Sequence, residues 1–437
     1  MSSLPENRIV IYARWALRIS LHAAFLSLVF SLGFMWPSFL FHGFSIPITD
    51  LIFPFVLLLW LAALLIGSER VEWNGFYTVL LLFLGACSLS AFFSQDFERS
   101  LLKLAGETYL VGLAVLTFNL TKDKGSARRL IQMWIAATAV SSAVSVLSFF
   151  LFYFDRTNML LSYSLYHYGT LPAGNYPRIS GTFLNANLLC NYLNVSVMFL
   201  LAGFHLGWIN RKLFYSIIPI LGLAIAFTIS PGIGGVLLSI GIWFWARNIK
   251  ECKYRLANVW LFCGCAAALA FFIAILIAPA PNALAEFQIT PLGIHLYSSE
   301  RVSAWIAATR TFLAHPIFGV GLGLDSGTAS SIFPDGSVHT VTDAHQIWLN
   351  FAAQTGIVGS LSLIGLMIYL IRKMWPVRFE LSDASVLRVA GGCAFIGAFL
   401  YQGLGGSYED ARHLWVLMGF IVSPSVQGNK QEAAIAE

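Results

Sequence analysis

The sequence predicts an all-α, polytopic membrane protein, a single membrane domain over residues 1–437 with about twelve transmembrane helices. Three observations carry that expectation. Of 437 residues, 58% are hydrophobic and 11% charged, against roughly 25% charged in soluble domains. So little polar surface cannot cover a water-soluble globule of this length. The charges also bunch between apolar runs, many of which approach the ~20 residues needed to cross the hydrocarbon core.

Taken in order, the runs place spans at 15–36, 47–67, 75–94, 101–120, 129–153, 182–205, 213–230, 232–247, 257–278, 346–371, 385–404 and 411–424. The first follows Arg8, Arg14 and Arg18 and continues to Trp36 without a small-residue cleavage site, so it is expected to remain as an anchor. Only Ser230-Pro231-Gly232 punctuates the seventh and eighth, which leaves eleven as the alternative count. Residues 425–437 are expected to form a cytoplasmic tail.

With the N-terminus in the cytoplasm, the inside loops collect about 19 of the 26 Lys and Arg residues, among them Arg70, Lys122, Arg128, Arg211, Lys250, Arg372, Arg378 and Lys430. Both termini are then cytoplasmic. The net charge of +5 is explained by this bias, and no clustered basic face with groove-reading elements points to nucleic acid. The six cysteines show no metal-ligand spacing, and Cys87, Cys190, Cys263, Cys265 and Cys393 are expected as small buried hydrophobes.

Arg99, Lys103, Arg156, Arg178, Arg301, Arg310 and Arg412 fall on the outer side, where topology gives no reason for cations. Two outer loops are long, 154–181 and 279–345, and loops beyond about 15 residues are usually functional. Within the second, residues 299–313 form an expected amphipathic helix, opened by a Ser299 cap, stopped before Pro316 and lying along the membrane surface. Arg301 stands at its N-terminal end, where a cation and exposed backbone N–H groups together favour an anion.

Asp343-Ala344-His345 opens the next membrane helix. A neutral imidazole there, with a carboxylate two positions earlier, is a candidate general base for a hydroxyl; an interfacial histidine capping the helix is the plainer reading. Gly319-Val320-Gly321-Leu322-Gly323 has neither a Walker lysine nor a Rossmann unit and is expected as a tight turn. Glu409, Asp410 and Arg412 form an outer cluster or a solvated turn. Glu107 is an intramembrane carboxylate with Lys103 one turn before it, so pairing explains it as well as function does.

In this order and spacing the residues resemble the Wzy/O-antigen-ligase superfamily of membrane glycosyltransferases, over roughly 170–424. The most specific match is His345-Gln346-Ile347-Trp348-Leu349 continuing to Gly356 and Gly359, a histidine, ten residues, then glycine. Arg301-Val302-Ser303-Ala304-Trp305, the following His315-Pro316 to Gly323 turn and Pro177-Arg178-Ile179-Ser180-Gly181 to Asn187 look like further family segments. The resemblance implies a GT-C-like bundle with a large periplasmic loop at 279–345, in a bacterial inner membrane. It implies inverting, metal-independent transfer of a glycan from undecaprenyl diphosphate to an acceptor hydroxyl on the periplasmic face, without a cofactor. O-antigen ligation to lipid A-core is the first expectation and repeat-unit polymerisation the alternative.

On that reading His345 takes the acceptor proton and Arg301 holds the diphosphate; Asp343 is placed to orient or charge-stabilise the imidazole. The family's second arginine, in a Ser-Arg-Gly-like motif, is missing: the matching stretch is Ser230-Pro231-Gly232. Arg178, or less favourably Arg310, is the candidate second cation; Arg178 docking its loop on backbone carbonyls is the alternative. A transporter or flippase would show internal repeats and midplane charges, which are not evident in the sequence. A binding or scaffold protein that has lost activity is kept open by the altered stretch.

Overall fold

The computed structural model describes residues 8–41, 44–167, 177–278, 282, 284–332, 336, 338–375 and 382–428. Arg378, Lys430 and the tail beyond residue 428 lie outside the described residues. Helices dominate: α1 Arg8–Ser31, α2 Ile48–Leu65, α3 Gly75–Phe92, α4 Phe97–Leu120, α5 Lys124–Phe154, the short α6 Met159–Ser164, α7 Ala186–His205, α8 Arg211–Phe227, α9 Ile233–Lys250 and α10 Tyr254–Leu276. They continue with α11 Glu300–Ala314, α12 Ile347–Met374, α13 Asp383–Phe395, α14 Arg412–Val422 and α15 Pro424–Gln427. A π-helical turn, Ile396–Tyr401, and a 3-10 turn, Gln402–Leu404, prolong α13.

Nine helices among the described residues are long and apolar enough to cross a membrane: α1 to α5, α7, α10, α12 and α13 with its extension. This makes the chain a multi-pass membrane protein. The three other expected spans coincide with α8, α9 and α14. The first has 17 residues and the last 11, while α9 ends on Arg247 and Lys250. Neither of the two shorter helices reaches the length of a full crossing by itself.

Capping explains where several helices begin. Asp96, Asp123, Asn185 and Asn210 accept side-chain hydrogen bonds from backbone N–H groups of α4, α5, α7 and α8. Hydropathy therefore placed the starts of α4 and α5 late, because their first turns carry Glu98, Arg99, Lys124 and Arg128. α7 starts later than hydropathy suggested, at Ala186 after its Asn185 cap, and the chain before it forms a strand, Pro177–Ile179, paired antiparallel with Leu165–His167.

Successive helices run up and down, so their connections gather at two ends. At one end Trp36 Nε1 donates to Gly181 O at 2.7 Å and the Gln95 amide to Val320 O at 3.1 Å. At the other, Lys122 pairs with Glu69 at 3.5 Å and Lys124 with Asp383. In the central helices α7 and the extended α13, 78% of the span is buried, against 17% in α10, which turns an apolar face with Phe262 outward as a lipid-facing helix must. Cys263 and Cys265 lie exposed on α10, a correction to the expectation that they are buried; apolar helices in a bilayer need not hide their cysteines.

The segment between α10 and α12 is more ordered than its composition suggested. It holds a three-stranded sheet in the order Ile277–Ala278, Leu296–Ser298, Gln288–Ile289, and a hairpin pairing Ala329–Ile332 with Val338–Val341. α11 falls where expected, but Ser299 does not cap it by side chain. Its hydroxyl donates to Ile275 O at 2.6 Å, tying the helix start to the end of α10. Pro424–Gln427 form α15, so that residues 425–427, expected as the start of a cytoplasmic tail, pack against the bundle: Arg388 donates to Gln427 O at 2.7 Å and Val426 is fully buried.

Candidate functional site

The entrance of α12 is built by a tight turn. The His345 amide donates to Asp343 Oδ1 at 2.5 Å, and closing that turn puts His345 at φ 47°, a left-handed conformation uncommon for a residue with a Cβ. Ser407 Oγ donates to the same oxygen at 2.5 Å. The His345 Nδ1 atom stands 3.7 Å from it, close enough for charge interaction but too long for a hydrogen bond. The imidazole is about half exposed. Desolvation lowers its pKa from the ordinary value, Asp343 acts the other way, and Arg301 lowers it further. The ring is thus neutral at pH 7, an available base.

Eleven residues later α12 is broken. Gly356 has φ 63° and ψ −161°, and its amide neighbours bend to receive the turn after α11: Ile357 N donates to Pro316 O at 2.8 Å and Val358 N to Ile317 O at 3.3 Å. The Gly323 amide donates to Gln354 Oε1 at 2.9 Å. The spacing from His345 to Gly356 is therefore a structural distance. It sets the imidazole two helical turns and more from a docking point for the 316–323 turn, which joins α11 and its Arg301 to α12.

Arg301, at the start of α11, donates through Nη1 to Gly405 O at 2.7 Å. It lines a small pocket with Asn187, Ser230, Pro231, Gly232, Gln402 and Tyr408 among its walls. Arg178 reaches the same turn from behind. Only 4% exposed, it donates from Nε to Thr228 O at 2.9 Å and from Nη2 to Asn187 Oδ1 at 2.5 Å, and Asn187 Oδ1 also accepts from Ser230 Oγ at 2.8 Å. Burial pushes the Tyr408 phenol up, with Arg301 and Arg178 acting against it, so both positive charges are felt at one pocket residue. Arg310 lies exposed on α11, about 13 Å of helical rise from Arg301, and is not brought to this pocket.

The other cations expected on the outer side have other partners. Arg99 pairs with Asp325 at 2.7 Å, and Arg156 sits 4.7 Å from the Phe152 ring centre. Lys103 pairs with Asp410 and stands 3.4 Å from the buried Glu107, and Arg412 grips Asp50 through two hydrogen bonds of 2.5 Å.

Sequence reasoning left Glu409, Asp410 and Arg412, within residues 407–413, as a cluster or a solvated turn. With Gly405 and Ser407 they form a strap, 405–412, across the site. Gly405 O accepts from Arg301, Ser407 Oγ donates to Asp343, Glu409 Oε1 accepts from Asn350 Nδ2 at 2.5 Å, and Asp410 and Arg412 tie to α4 and α2. No local signal marked Ser407 or Gly405, since one acts through a carbonyl and the other through a hydroxyl. Burial, then the adjacent Asp410, push the Glu409 carboxyl up to about 8. Among the described residues no group of three or more His, Cys, Asp or Glu has the arrangement to hold a metal ion.

The structure thus gathers a half-exposed histidine, a tethered carboxylate and two arginines at one end of a multi-pass helical membrane protein. A family model described as O-antigen ligase, Wzy_C, matches residues 193–364. The matched segment is less than half of the chain; it contains Arg301, Asp343, His345 and Gly356, while Arg178 and the 405–412 strap lie outside it. No curated protein matches the chain.

Proposed function

We propose that this protein is a membrane glycosyltransferase of the O-antigen-ligase superfamily, transferring a glycan from a polyprenyl diphosphate, undecaprenyl diphosphate in a bacterial inner membrane, to an acceptor hydroxyl at the periplasmic face. Lipid A-core is the acceptor we favour. The observation that carries the reading is the shared pocket: Arg301 lines it, Arg178 braces its Ser230-Pro231-Gly232 wall, and the 405–412 strap links it to Asp343 and His345.

In this mechanism Arg301 binds the diphosphate, whose charge grows as the bond from the anomeric carbon to the phosphate oxygen breaks. The acceptor oxygen attacks the opposite face of that carbon, inverting it, and its proton passes to the neutral His345 imidazole. Asp343, fixed by Ser407 and by the His345 amide, stabilises the imidazolium that results. Arg178 supplies the second charge, its guanidinium anchored to the turn that otherwise lacks a cation. Arg310 takes no part. The reading places both termini in the cytoplasm, in keeping with the loop charges.

The test is a transfer assay in chelator with purified protein, polyprenyl-diphosphate glycan and lipid A-core. A shift of the acceptor on a gel that needs His345 establishes the ligase. Lengthening of the donor glycan without acceptor makes the protein a polymerase, and absence of either product with intact protein removes the enzymatic reading.

A further inference from the structure

A buried chain of side chains from three helices leads to the Ser230-Pro231-Gly232 wall and ends on Gln402, which itself lines the pocket. His413 of α14, Asn191 of α7 and Gln402 beyond the π-helical turn are 3%, 0% and 3% exposed. His413 Nε2 is 2.7 Å from Asn191 Oδ1; Asn191 Nδ2 is 2.7 Å from Ala398 O and 2.8 Å from Gln402 Oε1; Gln402 Nε2 is 2.8 Å from Gly232 O.

The two backbone carbonyls settle the direction of every link. A carbonyl only accepts, so the atom facing Ala398 O must be the Asn191 amide nitrogen and the atom facing Gly232 O the Gln402 amide nitrogen. Asn191 Oδ1 is then left to accept, and His413 Nε2 must carry the hydrogen. The relay runs one way, from His413 to Asn191 to Gln402 to the Gly232 carbonyl.

The backbone is arranged to permit it. In the π-helical turn the Gln402 amide donates to Gly397 O and Phe399 O, passing over Ala398, whose carbonyl is thereby available to Asn191. Gly232 O already receives Gly235 N at 2.9 Å and Val236 N at 3.3 Å, so the Gln402 bond adds a third constraint at the first turn of α9. A Cβ at Gly232 would lie 3.1 Å from Gln402 Cδ and from Cys190 Sγ, which shows how closely the turn is seated.

We propose that His413 and Asn191 are positioning residues of the lipid-diphosphate pocket, acting through Gln402, a wall residue in its own right, and the Gly232 carbonyl to hold the Ser230-Pro231-Gly232 wall in place against Arg301. The inference rests on the proposed function for the identity of the ligand. A wall with no cationic side chain of its own has no long, adaptable group to follow a bound anion, so its contribution depends on where the backbone is held.

The experiment measures binding of undecaprenyl diphosphate to the detergent-purified full chain, with donor KM and kcat from the transfer assay alongside. Gln402→Met and His413→Leu keep bulk and remove the hydrogen bonds; His413→Gln keeps an N–H donor near the Nε2 position. We expect Kd and donor KM to rise about tenfold in the first two, the size of one lost hydrogen bond, with kcat little changed and His413→Gln close to wild type. Should His413→Leu fail to insert, Gln402→Met tests the same relay at its other end. Unchanged Kd in a folded Gln402→Met protein, or His413→Gln no better than His413→Leu, overturns the relay while leaving the function standing. A wild-type protein that binds no diphosphate overturns both.

Discussion

Arg178 donates from Nε to the Thr228 carbonyl at 2.9 Å, two residues before a turn that carries no cation of its own. The same guanidinium meets Asn187, whose oxygen also holds Ser230. A planar fork with several fixed donors can serve both acceptors at once, which an ammonium cannot. Arg178→Lys is therefore expected to raise the donor KM by about tenfold while the protein still inserts. Steady-state kinetics with a melting curve taken in parallel would check this; equal KM values would leave Arg178 a purely structural brace.

His345→Ala should lower transfer by about 100- to 10,000-fold with donor binding preserved. Because desolvation holds the His345 pKa below its ordinary value of 6.5, the active neutral form persists as the pH falls to that value and is lost only below the lowered pKa. Asp343→Asn removes the negative charge that favours the protonated imidazole, so the acid limb of the pH–rate profile should move to lower pH. A limb that moved upward would exclude the assigned pairing.

Glu409 titrates in the opposite sense to an ordinary carboxylate of a folded protein. Burial and Asp410 raise it to about 8 from 4.5, so the folded form holds a proton that the unfolded form releases. Its contribution is complete below pH 4.5 and is lost as the pH rises through 8. The melting temperature in detergent should decline from pH 6 to pH 9, and Glu409→Gln, which keeps an acceptor for Asn350 without titrating, should flatten that slope.

Arg412 and Asp50 join the end of the strap to α2 by two hydrogen bonds of 2.5 Å, and Tyr109 donates to the same carboxylate at 2.7 Å. A double-mutant cycle of Arg412→Ala and Asp50→Ala read by thermal unfolding should show a coupling of about 1–3 kcal/mol, more than an exposed pair would give.

Gly356→Ala places a Cβ on a residue at φ 63° against the Ile317 backbone. Strain at that φ costs of order 1–3 kcal/mol before the contact is counted. Loss of the 316–323 docking should show as faster proteolysis of the segment between α10 and α12, whereas Gly365→Ala, on the open face of the same helix, should be silent.

Much of this was legible in the chain itself. Hydropathy located a helix at every expected span, because a segment without water must satisfy its own backbone hydrogen bonds. The order of Arg301, His345 and Gly356 carried the family resemblance, and the pairing of Lys103 with Glu107 followed from their i, i+4 spacing. These are properties of short stretches, set by periodicity and local chemistry.

The remainder depended on contacts between residues far apart in sequence. Arg178 comes to Thr228, Ser407 to Asp343, Arg412 to Asp50 and His413 to Asn191 only because up-and-down helices return their connections to the same end of the bundle. Carbonyls and amides that carry no charge, such as Gly405, Gly232 and Gln402, leave no pattern in a sequence, since any residue can present a backbone oxygen. Composition and periodicity therefore determined that this chain crosses a membrane, and motif order named the candidates for chemistry there. Which of those residues meet was decided by tertiary packing, because only helices held side by side bring fixed donors and acceptors within 3 Å of one another.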